Sequence, residues 1–176
     1  MDLFEAINKR HSYRDKFKDI KIPEEDLKKI ITAGIKAPSG CNAQTTDFVI
    51  VNNINLIHEI AEILQKKLIK TAQAIIVCIT DIVPVYHGMS FQKEDCAAAT
   101  ENLLLAITAL GYATVWIDGA LRREQKAEKI KELLKVPDNK AVQVVLPLGV
   151  PVTEKQQKEK KSFNERAWFN SYNKEV

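Results

Sequence analysis

The chain is poor in cysteine, nearly balanced in charge and free of long apolar runs. Its three cysteines form no Cys-x-x-Cys pair, which argues against a disulfide scaffold or a zinc knuckle and favours a reducing, cytoplasmic location. The 26 basic and 23 acidic side chains leave a net charge of +3, which does not predict nucleic acid or an anionic membrane as a partner. No stretch reaches membrane-spanning length, and the first residues lack the pattern of a signal peptide.

Glycine-rich phosphate motifs are also missing from the sequence. Neither Gly-x-Gly-x-x-Gly after a strand nor Gly-x-x-x-x-Gly-Lys-Ser/Thr occurs, so no Rossmann or P-loop cradle is predicted. His58 and His87 have no partner at metal-ligand spacing, and we expect no metal site. A phosphate on this protein must therefore be held by side chains.

Apolar periodicity predicts one domain of residues 1–176 in which helices alternate with strands. Asp2 and Glu5 open a short first helix, and Pro23 starts a second that ends at Pro38. Strands are predicted over residues 48–51, 74–80, 113–117 and 142–148, and further helices over 54–69, 93–110 and 122–134. The alternation predicts helices on both faces of a central sheet.

The predicted helix of residues 96–110 is apolar on all sides, so it needs cover all round. That cover comes either from the core of the same chain or from a second subunit, and we expect a homodimer. Residues 153–161 are polar, and Trp168, Phe169 and Tyr172 follow them. This order is typical of a C-terminal arm that reaches out and docks.

Two polar segments are candidates for binding an anionic ligand. The first, the basic cluster of residues 10–14, offers planar multi-donor groups for a phosphate in Arg10, His11, Ser12 and Arg14. The second, the polar turn of residues 38–44, combines a fixed bend with amide side chains in Pro38, Ser39, Gly40 and Asn42. From the residues alone, a solvated loop explains the basic cluster equally well, and an ordinary helix stop and turn is the preferred explanation of the second segment when it is taken by itself.

Together the two segments resemble the FMN-dependent nitroreductase family. Its members begin with Arg-(Arg/His)-Ser-x-(Arg/Lys) and carry Pro-Ser-x-x-Asn-x-Gln before the first strand. Residues 101–111 and 115–119 are similar to the family's following helix and to the strand and glycine turn along the flavin. The resemblance extends along most of the chain. It implies an α+β, three-layer α-β-α fold with a mixed, largely antiparallel sheet, in a homodimer that exchanges C-terminal arms of about residues 153–176.

The resemblance also implies two FMN sites at the dimer interface. Arg10 and His11 would serve the phosphate side and Ser12 the ribityl chain or the phosphate. Arg14 would lie near N1 and O2 of the ring, where its positive charge stabilises the reduced flavin. The polar turn would contact the flavin of the other subunit. The further cofactor-binding residues that the resemblance implies are Lys67 with Lys66 as its alternative, Trp116, Ile117, Asp118, Gly119, Lys158 and Lys160.

The activity that the resemblance implies is electron transfer from NADH or NADPH to a small electrophile such as a nitroaromatic or a quinone. FMN carries the electrons, so no side chain is expected to act as a nucleophile. Without a separate dinucleotide motif, donor and acceptor would use the flavin in turn, which predicts ping-pong kinetics. Thr45 and Thr46 stand where the family usually has Pro-Trp. The loss of the aromatic residue alters one wall of the pocket, so the resemblance does not identify the electron acceptor.

Two other functions compete with this interpretation. A flavin-binding protein used for storage or sensing would bind FMN without turnover. A small RNA-binding domain is disfavoured, because the aromatic residues do not interleave with basic ones as stacking platforms require.

Overall fold

Four antiparallel strands form the middle layer of the computed structural model, which describes residues 1–172. They are β1 (Thr46–Val51), β2 (Ala74–Asp81), β3 (Ala113–Thr114) and β4 (Lys140–Gly149). Their spatial order is β1-β2-β4-β3, so the two long strands β2 and β4 lie in the centre. A single parallel bridge joins Ser12 to Thr114 at the edge. The predicted mixed, largely antiparallel sheet is therefore confirmed.

Within residues 1–172, six α-helices accompany the sheet. They are α1 (Leu3–Lys9), α2 (Glu24–Ile35), α3 (Ile54–Leu64), α4 (Gln92–Ala109), α5 (Lys126–Leu133) and α6 (Phe163–Arg166). The N-terminal cap of α1 forms as predicted, because the Asp2 carboxylate accepts a hydrogen bond from the Glu5 amide at 2.8 Å. Two short 3₁₀ helices follow α2 and α3 at Gly40–Asn42 and Lys67–Thr71.

Strand β2 shows why the fold has three layers. Successive side chains of a strand point to opposite faces. Ile75, Val77 and Ile79 belong to a buried cluster with residues of α3 and α5, whereas Ile76 and Cys78 belong to a second cluster with residues of α2 and α4. The sheet is thus covered on both faces, as the alternation of elements predicts.

The predicted strand of residues 113–117 is too long, because β3 ends at Thr114. The chain leaves the sheet there and returns only at Ile117, which exchanges hydrogen bonds of 3.1 and 2.9 Å with Val145. The intervening Val115 and Trp116 lie outside the ladder and help to form a cavity described below.

Two predicted helices are also too long. Helix α3 ends before Gln65, whose left-handed φ of 55° caps it, and a 3₁₀ turn replaces its predicted last turn. Helix α5 begins only at Lys126, because Glu124 and Gln125 have left-handed φ values of 55° and 54°. A residue with positive φ cannot continue a right-handed helix.

Helix α4 is covered only in part by its own chain. Leu103 and Ile107 are buried against the sheet and α2, but Ala97 and Ala109 are exposed. Phe4 of the neighbouring α1 is 75% exposed. These outward apolar residues leave room for a second subunit, and the homodimer stays a prediction.

The arm carries little regular structure apart from α6, and Phe163, Phe169 and Tyr172 on it are exposed. The last four residues of the predicted arm, 173–176, lie outside the described residues. No helix within residues 1–172 has the length and apolar content needed to cross a membrane.

Candidate functional site

The basic cluster follows the end of α1 and is fixed by Tyr13. This side chain is fully buried, and its amide donates to the Thr114 carbonyl of β3 at 2.8 Å. Its hydroxyl donates to the Lys16 carbonyl at 2.6 Å and accepts from the amides of Val152 and Thr153 at 3.0 and 3.4 Å. The Tyr13 side chain is thus anchored in the protein, whereas its neighbours Ser12 and Arg14 are exposed.

The start of the arm runs along the basic cluster. Gln157 donates from Nε2 to the carbonyl oxygens of Arg10 and Ile7 at 2.7 and 3.2 Å, where the end of α1 leaves carbonyls without helical partners. Lys155 lies 3.4 Å from the carboxylate of Asp15. The pKa of that carboxyl is lowered, first by the hydrogen bond from the Lys16 amide and also by Lys155. The arm therefore stays close to the cluster over several residues.

Lys158 follows Gln157 directly, so the chain brings it near the basic cluster. Lys158 and Lys160 are both exposed. Neither makes an ion pair with another residue of the range 1–172. Both side chains are thus uncommitted within the described chain, and the hydrogen bonds of Gln157 keep the backbone next to Lys158 at the cluster.

His11 is the polar side chain of the cluster with an unsatisfied buried atom. Its Nδ1 lies 2.9 Å from the Lys9 carbonyl, and a carbonyl oxygen only accepts, so we assign the proton of the neutral ring to Nδ1. The other ring nitrogen, Nε2, is buried and has no hydrogen-bond partner in the part of the chain that the structure describes. An unpaired buried polar atom is unfavourable, which makes Nε2 a candidate contact for a ligand.

The Arg10 guanidinium makes a long ion pair with the carboxylate of Glu101. Its Nε lies 3.9 Å from Oε1 of Glu101 on α4, and the side chains are 21% and 51% exposed. A pair of this length and exposure contributes little to stability. The Arg10 guanidinium is therefore mostly uncommitted.

Arg14 and the glycine turn of residues 115–119 meet at a cavity of about 180 Å³. Its remaining lining residues are Lys66, Leu68 and Ala120. The structure thus brings the predicted Trp116, Ile117, Asp118 and Gly119 together with Arg14, and it adds Lys66 instead of Lys67, which is exposed and does not line the cavity. This cavity is called the ring cavity below.

Two residues of the glycine turn differ in what they offer to the ring cavity. Asp118 accepts a hydrogen bond from Arg122 at 2.8 Å, so part of its carboxylate is engaged. At Gly119 an added Cβ would meet no atom within 4 Å among residues 1–172. The turn is therefore open on that side.

The polar turn lies at a separate cavity, also of about 180 Å³. Pro38, Ser39 and Gln44 line it, and it shares no lining residue with the ring cavity. The structure therefore does not bring the polar turn to Arg14 within one chain. Each cavity is smaller than the roughly 300 Å³ of a typical ligand pocket.

Sequence reasoning missed the residues that hold the cluster in place. Tyr13 has a weak signal, since it is an aromatic residue between Ser12 and Arg14 in a polar loop. Gln157 has none, because the polar stretch around it has no periodicity and its partners lie about 150 residues away.

Comparison with known proteins identifies the family of the chain. The chain matches the model of the nitroreductase family over residues 7–78 and 68–150. It is 35% identical over 140 residues to a protein of Archaeoglobus fulgidus provisionally named NADH dehydrogenase/NAD(P)H nitroreductase, covering 79% of this chain and 80% of that protein.

Solved structures extend the likeness to the whole fold. A protein of the same provisional name from Parabacteroides distasonis superposes with a TM-score of 0.85 at 28% identity, over 97% of this chain and 98% of that one. An FMN-dependent nitroreductase from Clostridium difficile superposes with a TM-score of 0.82 at 25% identity, over 96% of this chain and 99% of that one.

Proposed function

The chain belongs to the nitroreductase family, and we propose that it is an FMN-dependent oxidoreductase. The electrons would pass from NADH or NADPH to a small electrophile such as a nitroaromatic or a quinone. FMN, when bound, supplies the electron-transfer chemistry, and the chain supplies position and charge. The observation that carries the proposal is the buried Nε2 of His11, which has no hydrogen-bond partner among residues 1–172 and lies in the basic cluster between Arg10 and Arg14.

The basic cluster fits the phosphate and ribityl end of FMN. In the neutral ring, His11 Nε2 accepts a hydrogen bond from a ribityl hydroxyl, and in the charged ring it donates to a phosphate oxygen. Arg10 adds a mostly uncommitted guanidinium, and Ser12 adds an exposed hydroxyl. Lys158 and Lys160 would complete the charge around the phosphate from the arm.

The ring cavity fits the isoalloxazine end. Arg14 and Lys66 contribute fixed positive charge at its wall, and Trp116 contributes an apolar surface. A cation at this place favours the extra negative charge that the ring carries after reduction. In the absence of a dinucleotide motif, we predict ping-pong kinetics with NAD(P)H and the acceptor.

The polar turn would act on the FMN of a second subunit in a homodimer. This assignment is supported by the separation of the two cavities and by the exposed apolar residues on α1 and α4.

The three cysteines are free thiols, which is compatible with the cytoplasmic location that the proposal includes.

A spectrum of the purified protein tests the proposal most directly. We expect visible flavin absorbance and, after denaturation, release of FMN and no FAD. A colourless protein that FMN does not reconstitute would contradict the proposal. Oxidation of NAD(P)H with a nitroaromatic or quinone then separates turnover from the alternative of flavin storage or sensing, which predicts bound FMN without steady-state oxidation.

Replacing Arg10 tests the phosphate end. Arg10→Ala removes a charge-assisted hydrogen bond, which should weaken FMN by about 1.5 to 3 kcal/mol, or about 10- to 150-fold in Kd. Lys28→Ala is the control, because it removes one positive charge from the exposed face of α2, where Lys28 pairs with Glu24 at 2.7 Å. The affinities for FMN are measured by quenching of flavin fluorescence. Equal affinities of the two variants would contradict a contact between Arg10 and the phosphate.

A further inference from the structure

Asp95, in the first turn of α4, binds the polar turn through hydrogen bonds to its carboxylate. This carboxylate is 5% exposed, and both of its oxygens are used. Oδ1 accepts from the amide of Gly40 at 2.8 Å, and Oδ2 accepts from the hydroxyl of Thr45 at 2.9 Å. The two donors lie inside the polar turn and directly after it, 55 and 50 residues away from Asp95 along the chain.

The polar turn needs such an external hold because its backbone is strained. Cys41, Asn42 and Gln44 all have left-handed φ values, of 52°, 53° and 52°. Residues with a Cβ adopt this region at a free-energy cost and keep it only where the surroundings stabilise it. Inside the turn, the Ser39 hydroxyl accepts one hydrogen bond from the Gln44 amide at 3.0 Å.

The residue before α4 adds a steric contact to the same turn. A Cβ on Gly40 would lie 2.4 Å from the ring of Phe91, so no side chain fits between them. Phe91 therefore limits how close the turn can approach, and Asp95 limits how far it can move away. Together they fix the Gly40 backbone from two sides.

The Thr45 hydroxyl makes this arrangement possible. Thr45 stands where the family that the sequence resembles has proline, which has neither a hydroxyl nor an amide hydrogen. Thr45 is buried, and Asp95 is the acceptor of its hydroxyl. The threonine that replaces the family's proline thus makes a hydrogen bond to Asp95 that proline could not make.

We propose that Asp95 is a positioning residue for the flavin, which keeps the polar turn in the conformation that contacts FMN. The inference rests on the proposed function, since it assigns the turn to the flavin. Asp95 does not line the ring cavity; it lines the cavity at the polar turn, where both of its oxygens already accept hydrogen bonds from Gly40 and Thr45. It acts through Gly40 and Thr45, so its loss should change the order of the turn and, through it, the affinity for FMN.

The test compares Asp95→Ala with Asp95→Asn. Alanine removes both acceptors, so we expect hydrogen exchange of the Gly40 amide to accelerate at least about tenfold in the flavin-free protein and the Kd for FMN to rise by a similar factor. Asparagine offers an oxygen to the Gly40 amide and an NH₂ group to the Thr45 hydroxyl, so both values should stay within about threefold of wild type. The exchange rate is measured by NMR and the Kd by flavin fluorescence.

Tyr112→Phe is the control for a general loss of stability. It removes the hydrogen bond of 2.8 Å from Tyr112 to Asp26 at the other end of α2, and should leave the Gly40 exchange and the Kd unchanged. If Asp95→Ala does not fold, Thr45→Val and Thr45→Ser decide. Thr45→Val should accelerate hydrogen exchange of the Gly40 amide and raise the Kd for FMN. Thr45→Ser keeps the hydroxyl, so both values should stay near those of wild type.

The outcomes separate this inference from the proposed function. If wild type binds FMN and Asp95→Ala, or Thr45→Val in its place, binds it equally well, the inference is overturned and the proposed function stands. If wild type binds no FMN, both are overturned. Weaker binding by Asp95→Ala with unchanged exchange at Gly40 also overturns the positioning role.

Discussion

Replacing Tyr13 by phenylalanine tests how the basic cluster is held. The substitution removes one hydroxyl from a fully buried ring and keeps the ring itself. The Lys16 carbonyl then loses the donor at 2.6 Å, and the Val152 amide loses the acceptor at 3.0 Å, but these two groups keep a hydrogen bond of 3.3 Å to each other. The packing of the ring against Phe17, with ring centroids 5.2 Å apart, is retained.

The expected magnitude follows from these partners. The hydroxyl makes two short hydrogen bonds, and each contributes about 0.5 to 1.5 kcal/mol net when its partners do not become unpaired. Val152 is an exposed residue, and water can replace part of the lost bond there. We therefore expect the free energy of unfolding to fall by about 1 to 3 kcal/mol. In a chain of this size that lowers Tm by about 2 to 12 °C.

Urea unfolding followed by circular dichroism measures the change, at one fixed concentration of flavin-free protein because a dimer's stability depends on concentration. Tyr86→Phe is the matched control. It removes the hydroxyl of a tyrosine that is 48% exposed and should change stability by less than about 0.5 kcal/mol. If Tyr13→Phe is as stable as this control, the hydroxyl does not hold the cluster and the arm together.

Three further predictions concern other parts of the molecule. Burial, followed by the hydrogen bond to Asp26, raises the pKa of Tyr112 to about 12, so its contribution to stability is complete below the ordinary pKa of about 10 and is lost as the pH rises toward 12; urea titrations of wild type and Tyr112→Phe should converge over that range. In the flavin-free protein one thiol, the exposed Cys41, should react rapidly with Ellman's reagent, and Cys41→Ser should abolish the fast phase, because Cys78 and Cys96 are buried. Truncation before Trp168 should weaken the dimer and FMN binding together in sedimentation and fluorescence titrations, and a truncated protein that keeps both would contradict the docking role of the arm.

The layers of the fold were predictable because they are encoded locally. Each residue of β2 from 74 to 80 is buried, and strand geometry alone assigns alternate residues to opposite faces. The ends of α3 and α5 were not predictable, because Gln65, Glu124 and Gln125 adopt left-handed conformations that their residue types do not favour. Tertiary contacts select those conformations, and apolar periodicity does not report them.

The candidate site divides in the same way. The basic cluster was recognisable because its charged residues are adjacent in sequence, and the ring cavity brings Arg14 and residues 116–119 together as separate short segments. The groups that orient these segments come from far away. Asp95 reaches Gly40 across 55 residues, and Gln157 reaches Arg10 across 147. Such pairs leave no periodic pattern, so only the folded chain reveals them.

The contact between Gln157 and Arg10 links ligand binding to the arm. The side-chain amide of Gln157 holds the backbone of the residue whose guanidinium is proposed to hold the phosphate. Ordering of the cluster and docking of the first part of the arm are therefore coupled by this hydrogen bond and by those of Tyr13. A ligand that orders the cluster must stabilise the docked arm by the same free energy with which the docked arm strengthens the ligand, because coupling between two binding events is reciprocal. If the arm also contacts a second subunit, FMN binding and dimerisation strengthen each other through the same residues.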